Sequence, residues 1–197
     1  MAEILMFHHA MGLTDGLVAF AERLRAAGHV VHSPDLYAGA TFTDADEGVA
    51  YAQSIGHDAL EEAAHLLARR HRGADVLMGF SLGAMPAQLL AQDRRRMRAC
   101  MLVSGALPPS ALGGVWRHEV ALQIHVADPD EYVEPDEIDA LLCHAPHARV
   151  YRYPSKGHLF MDPSLPEYDA DAADRFEERA TGWLADIDEH LLSRRPA

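Results

Sequence analysis

Cysteine is scarce in this sequence: Cys100 and Cys143 are the two in 197 residues, one in a strand-like run and one in a helix-like run. That excludes a disulfide framework and a thiolate metal cage, and it suits a reducing compartment. Long hydrophobic runs are missing as well. No uninterrupted apolar stretch approaches the roughly 20 residues needed to span a bilayer, so no membrane partner is expected. The opening residues "MAEILMFHHAMG" carry Glu3 and no basic n-region, and their apolar run is too brief for a signal-peptide h-region. The expected location is the cytoplasm. Basic charge is also short, with 17 Lys and Arg against 30 Asp and Glu and a net charge of -13. Nucleic-acid binding draws most of its affinity from Lys and Arg neutralising phosphates, so nucleic acid is not an expected partner. Much of the acid falls in the last third, in "DPDEYVEPDEID" and "PEYDADAADRFEERATGW", and reads as solvated helix faces rather than a metal site. Internal repeats, low-complexity tracts and linkers are absent too. Residues 1–197 are therefore expected to fold as one domain with a sizeable core.

What is present is an alternation of two periods. The runs "EILMFHH", "HVVHSPD", "ADVLMGF", "RACMLVSG", "VALQIHVA" and "ARVYRYP" read as six strands. Between them lie helical patterns. "TDGLVAFAERLRAAG" places Leu17, Phe20, Ala21 and Leu24 on one face, with Thr14 capping the start and Gly28 the end. Residues 43–72 read as mostly helical with breaks near Gly48 and Gly56, "LGAMPAQLLAQD" and "PDEIDALLCHA" as helices, and "DAADRFEERATGWLADIDEHLL" as a terminal helix. Apolar strands alternating with amphipathic helices predict an α/β fold, a mostly parallel six-stranded sheet with helices on both faces. The stretch "ALPPSALGGVWRHE" reads as loop and supplies no lid domain.

In such a sheet ligands bind beyond the carboxyl ends of the strands. Each residue just after a strand therefore lies on one rim. Ser81 follows strand three, Asp128 and Asp130 follow strand five, and His158 follows strand six. A nucleophile, an acid and a base thus share an edge in the chain order Ser, Asp, His. That order, and "GFSLG" between a strand and a helix, match the nucleophile elbow of the α/β-hydrolases. Gly79 and Gly83 lack the Cβ atoms that would collide where strand and helix meet around a strained serine. A serine hydroxyl is a poor nucleophile until an imidazole accepts its proton, and a carboxylate holds that imidazole in the right tautomer. The backbone N–H of Leu82, next after the serine, is the expected first donor to the oxyanion. Spacing alone allows either aspartate as the acid.

"FHHAMGLTDGLVAFAERLRAAGHVVHSPDLYAG", "GFSLGA", "DPDEYV" and "YPSKGHLFMD" resemble successive blocks of the dienelactone hydrolase family, over nearly the whole chain. The resemblance implies a compact α/β-hydrolase fold and hydrolysis of small esters or lactones through Ser81, Asp130 and His158, with no cofactor and no metal. "DEYV" is similar to the family's acid block, which favours Asp130 and leaves Asp128 to bond backbone N–H groups of its own turn. "FHHAMG" resembles the family's first loop and implies the N–H of Ala10 as second oxyanion donor. The founding members carry cysteine where this chain has Ser81, so the chain is like the serine-bearing branch. They also carry an arginine shortly after the histidine when they act on carboxylate-bearing lactones, where this chain has Met161 and Asp162. Cleavage of a thioester or an acylated protein uses the same machinery, and a non-catalytic ligand-binding shell is a third reading, although no triad member is lost.

Other residues have plainer readings. His8 and His9 are adjacent on a strand and point to opposite faces, so they make a poor metal pair. The resemblance puts His9 where cysteine-type members have a glutamate, bordering the pocket. Asp35 after Pro34 is expected to organise a turn. Trp116 and Tyr37 fit a pocket wall or the core equally well. His57, His65 and His71 read as surface residues of helices. The expected partner is a small ester or lactone, and the oligomeric state is left open.

Overall fold

A computed structural model describes residues 1–192, with side chains through Asp188. Six strands form one sheet in the order β2-β1-β3-β4-β5-β6: β1 (Glu3–Phe7), β2 (Val30–His32), β3 (Val76–Phe80), β4 (Ala99–Val103), β5 (Ala121–Ala127) and β6 (Arg149–Tyr153). Every neighbouring pair is parallel. The helices are α1 (Asp15–Ala26), α2 (Ala45–Ile55), α3 (His57–Arg70), α4 (Ala84–Asp93), α5 (Pro135–Leu142) and α6 (Ala170–Leu192). None of them is long and apolar enough to cross a membrane.

The period-two alternation of the strands divides the core. On one face Ile4, Met6, Val76 and Met78 pack against Leu17, Phe20 and Leu24 of α1 and Phe176 and Trp183 of α6. On the other, Leu5, Phe7, Leu77 and Leu102 pack against Ala64 of α3, Leu90 of α4 and Ile138 of α5. Both faces of the inner strands are buried, which is why their sequences read as continuous apolar runs. Trp116 and Tyr37 both belong to the core, 6% and 2% exposed.

The strand order reverses between β1 and β3, so the loops that follow them diverge and open a crevice at that end of the sheet. Ala10 and Ser81 lie in those two loops. One expectation is corrected here. Gly48 does not break the helical region, which stops only at Gly56; it lies inside α2, where a Cβ would come within 2.7 Å of the Ala10 carbonyl oxygen. The glycine serves close approach of α2 to the β1–α1 loop rather than a turn.

Two buried histidines make stability depend on pH. His8 donates from Nδ1 to the His9 carbonyl and accepts the Leu36 N–H at Nε2, so its ring is neutral. His125 donates to Gln123 and accepts from the Tyr153 hydroxyl. Burial pushes His8 down to about 4 and His125 down to about 3. Below pH about 6.5 the unfolded chain takes up protons that these folded rings refuse, so stability is complete above that pH and lost as pH falls. Urea unfolding at pH 7, 6 and 5 is expected to show a loss of up to about 1.4 kcal/mol per pH unit for each ring. A flat profile from pH 7 to 5 would contradict this.

Candidate active site

The β3 strand delivers Ser81 into a short 3-10 turn, Ser81–Gly83, that runs directly into α4. Ser81 has φ +48°, the left-handed region that costs a residue with a Cβ about 1–2 kcal/mol. The surrounding packing holds it there. A Cβ on Gly79 would lie 2.2 Å from the Gly83 carbonyl oxygen, and one on Gly83 would lie 2.4 Å from the Phe7 carbonyl oxygen. The second collision is with β1 rather than with the elbow itself. Its absence lets the start of α4 press against the end of β1 and bring the two loops together. Gly83→Ala is expected to lower the thermal midpoint by several degrees and to disturb the geometry around Ser81, since neither backbone can yield without moving the other. Wild-type melting in that variant would refute the tight contact.

Ser81 Oγ lies 2.7 Å from His158 Nε2. His158 Nδ1 lies 2.9 Å from both carboxylate oxygens of Asp130. An ionised carboxylate only accepts, so the proton is on Nδ1 and Nε2 is left free to accept the serine proton. Asp130 also accepts the backbone N–H of Tyr132 at 3.0 Å, which fixes its orientation. The side chains of His158 and Asp130 are 11% and 3% exposed. The structure therefore brings together Ser81, Asp130 and His158, and leaves Asp128 outside.

Asp128 corrects a second expectation. Its side chain is exposed, and among the described residues its carboxylate accepts no N–H of its own turn. The turn-organising bond belongs to Asp130 instead. Asp35 does organise its turn, accepting the N–H groups of Tyr37 and Gly39.

Ala10 and Leu82, the residues expected to supply backbone donors, line the same cavity. The N–H of Ala10 donates to no other group among the described residues, and Ala10 lines the cavity beside Ser81. Leu82 is the second residue of the 3-10 turn, where the N–H has no partner inside the helix. The cavity has a volume of about 360 Å³, and Leu60, Met85, Leu107 and Val133 give it an apolar wall. Gln53, His57 and Glu137 are its polar contributors away from Ser81, so His57 faces the site rather than only solvent. A second cavity of about 230 Å³ shares Ala10, Ser81, Tyr132 and His158 and adds Glu131 and Glu167. No lysine or arginine lines either one among the described residues.

Two contributors escaped the sequence reading. Ser104, just after β4 and with φ +55°, donates from Oγ to the His158 carbonyl at 2.5 Å and holds His158 by its backbone. The signal was available, since Ser104 follows a strand on the same rim. Tyr132 places its ring 4.9 Å from the His158 ring while staying 59% exposed. His8 and His9 diverge as expected, but His9 lies behind the cavity wall, fully buried and bonded to Asp162. Among the described residues no cluster of three or more His, Cys, Asp or Glu side chains could hold a metal ion.

The sequence profile of the Dienelactone hydrolase family matches residues 1–188. This chain belongs to the dienelactone hydrolase family. It is a hydrolase of the α/β-hydrolase superfamily that acts on ester bonds. None of the curated proteins matches the sequence. Among solved structures, it is similar to a dienelactone hydrolase-like promiscuous phosphotriesterase from metagenomic libraries, with TM-score 0.79 and 21% identity, covering 95% of this chain and 87% of that one. It is also similar to a dienelactone hydrolase from Anabaena variabilis, with TM-score 0.64, 18% identity and coverage of 94% and 86%. A thioesterase domain from the curacin biosynthetic pathway matches with TM-score 0.58, 14% identity and coverage of 90% and 89%. At these identities the likenesses establish the shared fold of this dienelactone hydrolase family member.

Proposed function

We propose that the protein is a serine hydrolase of small, uncharged esters or lactones, acting through an acyl-enzyme on Ser81. The observation that carries the reading is the run of hydrogen bonds from Ser81 Oγ through His158 to Asp130 at the mouth of an apolar cavity. Ser81 Oγ attacks the carbonyl carbon while His158 Nε2 takes its proton. The oxyanion that forms accepts the N–H groups of Ala10 and Leu82, and Asp130 steadies the imidazolium. Collapse expels the alcohol, which takes the proton back from His158. Water then repeats the sequence on the acyl-enzyme, and the acid is released.

Substrate charge follows from the lining. A carboxylate on the substrate would lose its water without gaining a cationic partner, and Glu137, Glu131 and Glu167 would repel it. Two arginines outside the cavities are committed elsewhere or exposed: Arg117 bonds Glu119 and the Arg95 carbonyl, and Arg152 faces solvent. In paired assays kcat/KM is expected to be at least about tenfold higher for a neutral ester than for its carboxylate-bearing counterpart, the equivalent of about 1.4 kcal/mol. Equal or reversed preference would overturn the uncharged-substrate reading.

A further inference from the structure

Asp162 occupies a place that its sequence does not advertise. It is 1% exposed, and His9 beside it is fully buried. Asp162 Oδ2 accepts from His9 Nε2 at 2.9 Å and from the Thr14 hydroxyl at 2.5 Å, while Oδ1 accepts the Ser164 N–H at 2.8 Å. Three donors make the burial of a carboxylate tolerable. Burial alone would push Asp162 up, but the bonds from His9, Thr14 and Ser164 outweigh it and hold the group below the ordinary carboxylate range. It is therefore ionised at neutral pH. The first turn of α1 is shaped around it: a Cβ on Gly16 would lie 1.9 Å from Asp162 Oδ1, and the Gly16 N–H donates to Ser164 Oγ at 2.7 Å.

The two partners belong to the two loops that the reaction needs to hold in register. His9 immediately precedes Ala10, which lines the cavity and whose N–H has no partner among the described residues. Asp162 closes a turn onto the Leu159 carbonyl, one residue past His158. Neither side chain lines either cavity. His9 Nδ1 is buried with no hydrogen-bond partner among the described residues, an unmet polar atom that well-packed apolar side chains would not leave. A pair of this kind is a poor device for stability and a good one for fixing relative position.

We propose that the buried Asp162–His9 pair sets the position of the Ala10 oxyanion donor relative to the base His158, as a pair of positioning residues. The inference rests on the serine hydrolase reading above. It implies that loosening the pair weakens stabilisation of the transition state while leaving ground-state binding of the ester largely intact.

The test uses the full-length protein, with active sites counted by a fluorophosphonate so that rates are expressed per competent site. Asp162→Asn and His9→Leu are expected to remain folded by circular dichroism and to label on Ser81 in full, though slowly. Per site, kcat is expected to fall about 10- to 100-fold, in the range of a misplaced donor, with KM for a p-nitrophenyl ester within about threefold. Affinity for a trifluoromethyl ketone carrying the same acyl group should weaken in parallel with kcat. The double variant should be little worse than either single one, because both break one link. His9→Gln keeps an N–H for Asp162 and should recover most of the rate. Should Asp162→Asn fail to fold, His9→Leu decides, since it leaves the Thr14 and Ser164 bonds in place. A folded variant with wild-type kcat per titrated site, and only a lower melting temperature, would overturn the proposal. Failure of the wild-type protein to label at all would instead overturn the hydrolase reading on which it stands.

Discussion

Ser81→Ala is expected to reduce kcat for a neutral p-nitrophenyl ester by about 10⁴- to 10⁶-fold, the range seen when a nucleophile is removed from a serine hydrolase. The change removes the one hydroxyl that lies within 2.7 Å of His158 Nε2. It should leave the fold intact. The side chain of Ser81 makes no other hydrogen bond among the described residues, and alanine meets the same φ +48° backbone with the same Cβ. The thermal midpoint should therefore shift by no more than a degree or two. Retained turnover in a folded Ser81→Ala protein would mean that another group attacks the carbonyl. Ser104 is the obvious alternative on the same cavity, but its hydroxyl is spent on the His158 carbonyl and has no base beside it.

The second large effect separates the two aspartates that follow β5. Asp130→Asn should cut kcat by about 10⁴-fold at neutral pH, because an amide facing Nδ1 lets the imidazole settle with its proton on Nε2, where it can no longer accept from serine. The variant keeps a side-chain oxygen for the Tyr132 N–H, so its fold should survive. Asp128→Asn is expected to leave kcat within about twofold and stability within about 0.5 kcal/mol, as for other exposed positions without partners. Parallel kinetics and urea melts of the two variants check both statements. A silent, folded Asp128→Asn enzyme beside an active Asp130→Asn enzyme would reverse the assignment.

Much of this site is legible in the sequence. The strand-elbow-helix of "GFSLG" is a local pattern, and a parallel sheet sends every post-strand residue to the same rim, so Ser81, His158 and the pair Asp128 and Asp130 could be gathered from periodicity plus one topological rule, while the choice of Asp130 came from the resemblance of "DEYV" to the family's acid block. The same rule applied to "ACMLV" would have raised Ser104, whose role depends on reaching the His158 carbonyl across the rim. Gly48 misled because a glycine in a helical run usually marks a break, whereas here it admits the Ala10 carbonyl from another segment. Asp128 misled because the bond expected of it is made by Asp130, two residues on. Asp162 was the least legible. A carboxylate in "FMDPSLP" has no periodic signal around it, and its burial depends on His9 and Thr14, which are 153 and 148 residues away in sequence. Contacts of that separation have no periodicity to betray them.

The central claim is that Ser81 becomes acylated, and its most direct measurement is the location of a fluorophosphonate adduct by mass spectrometry. Trypsin should release Ser81 in the peptide between Arg72 and Arg94, residues 73–94, in which it is the one hydroxyl-bearing residue and there is no cysteine, histidine, tyrosine or lysine. A mass shift on that peptide therefore names the residue without further fragmentation. The expected result is stoichiometric labelling of this peptide in the wild-type protein, in step with loss of esterase activity, and no labelling in Ser81→Ala. An adduct on any other peptide, or full esterase activity in protein whose 73–94 peptide is completely modified, would contradict the assignment of Ser81 as nucleophile.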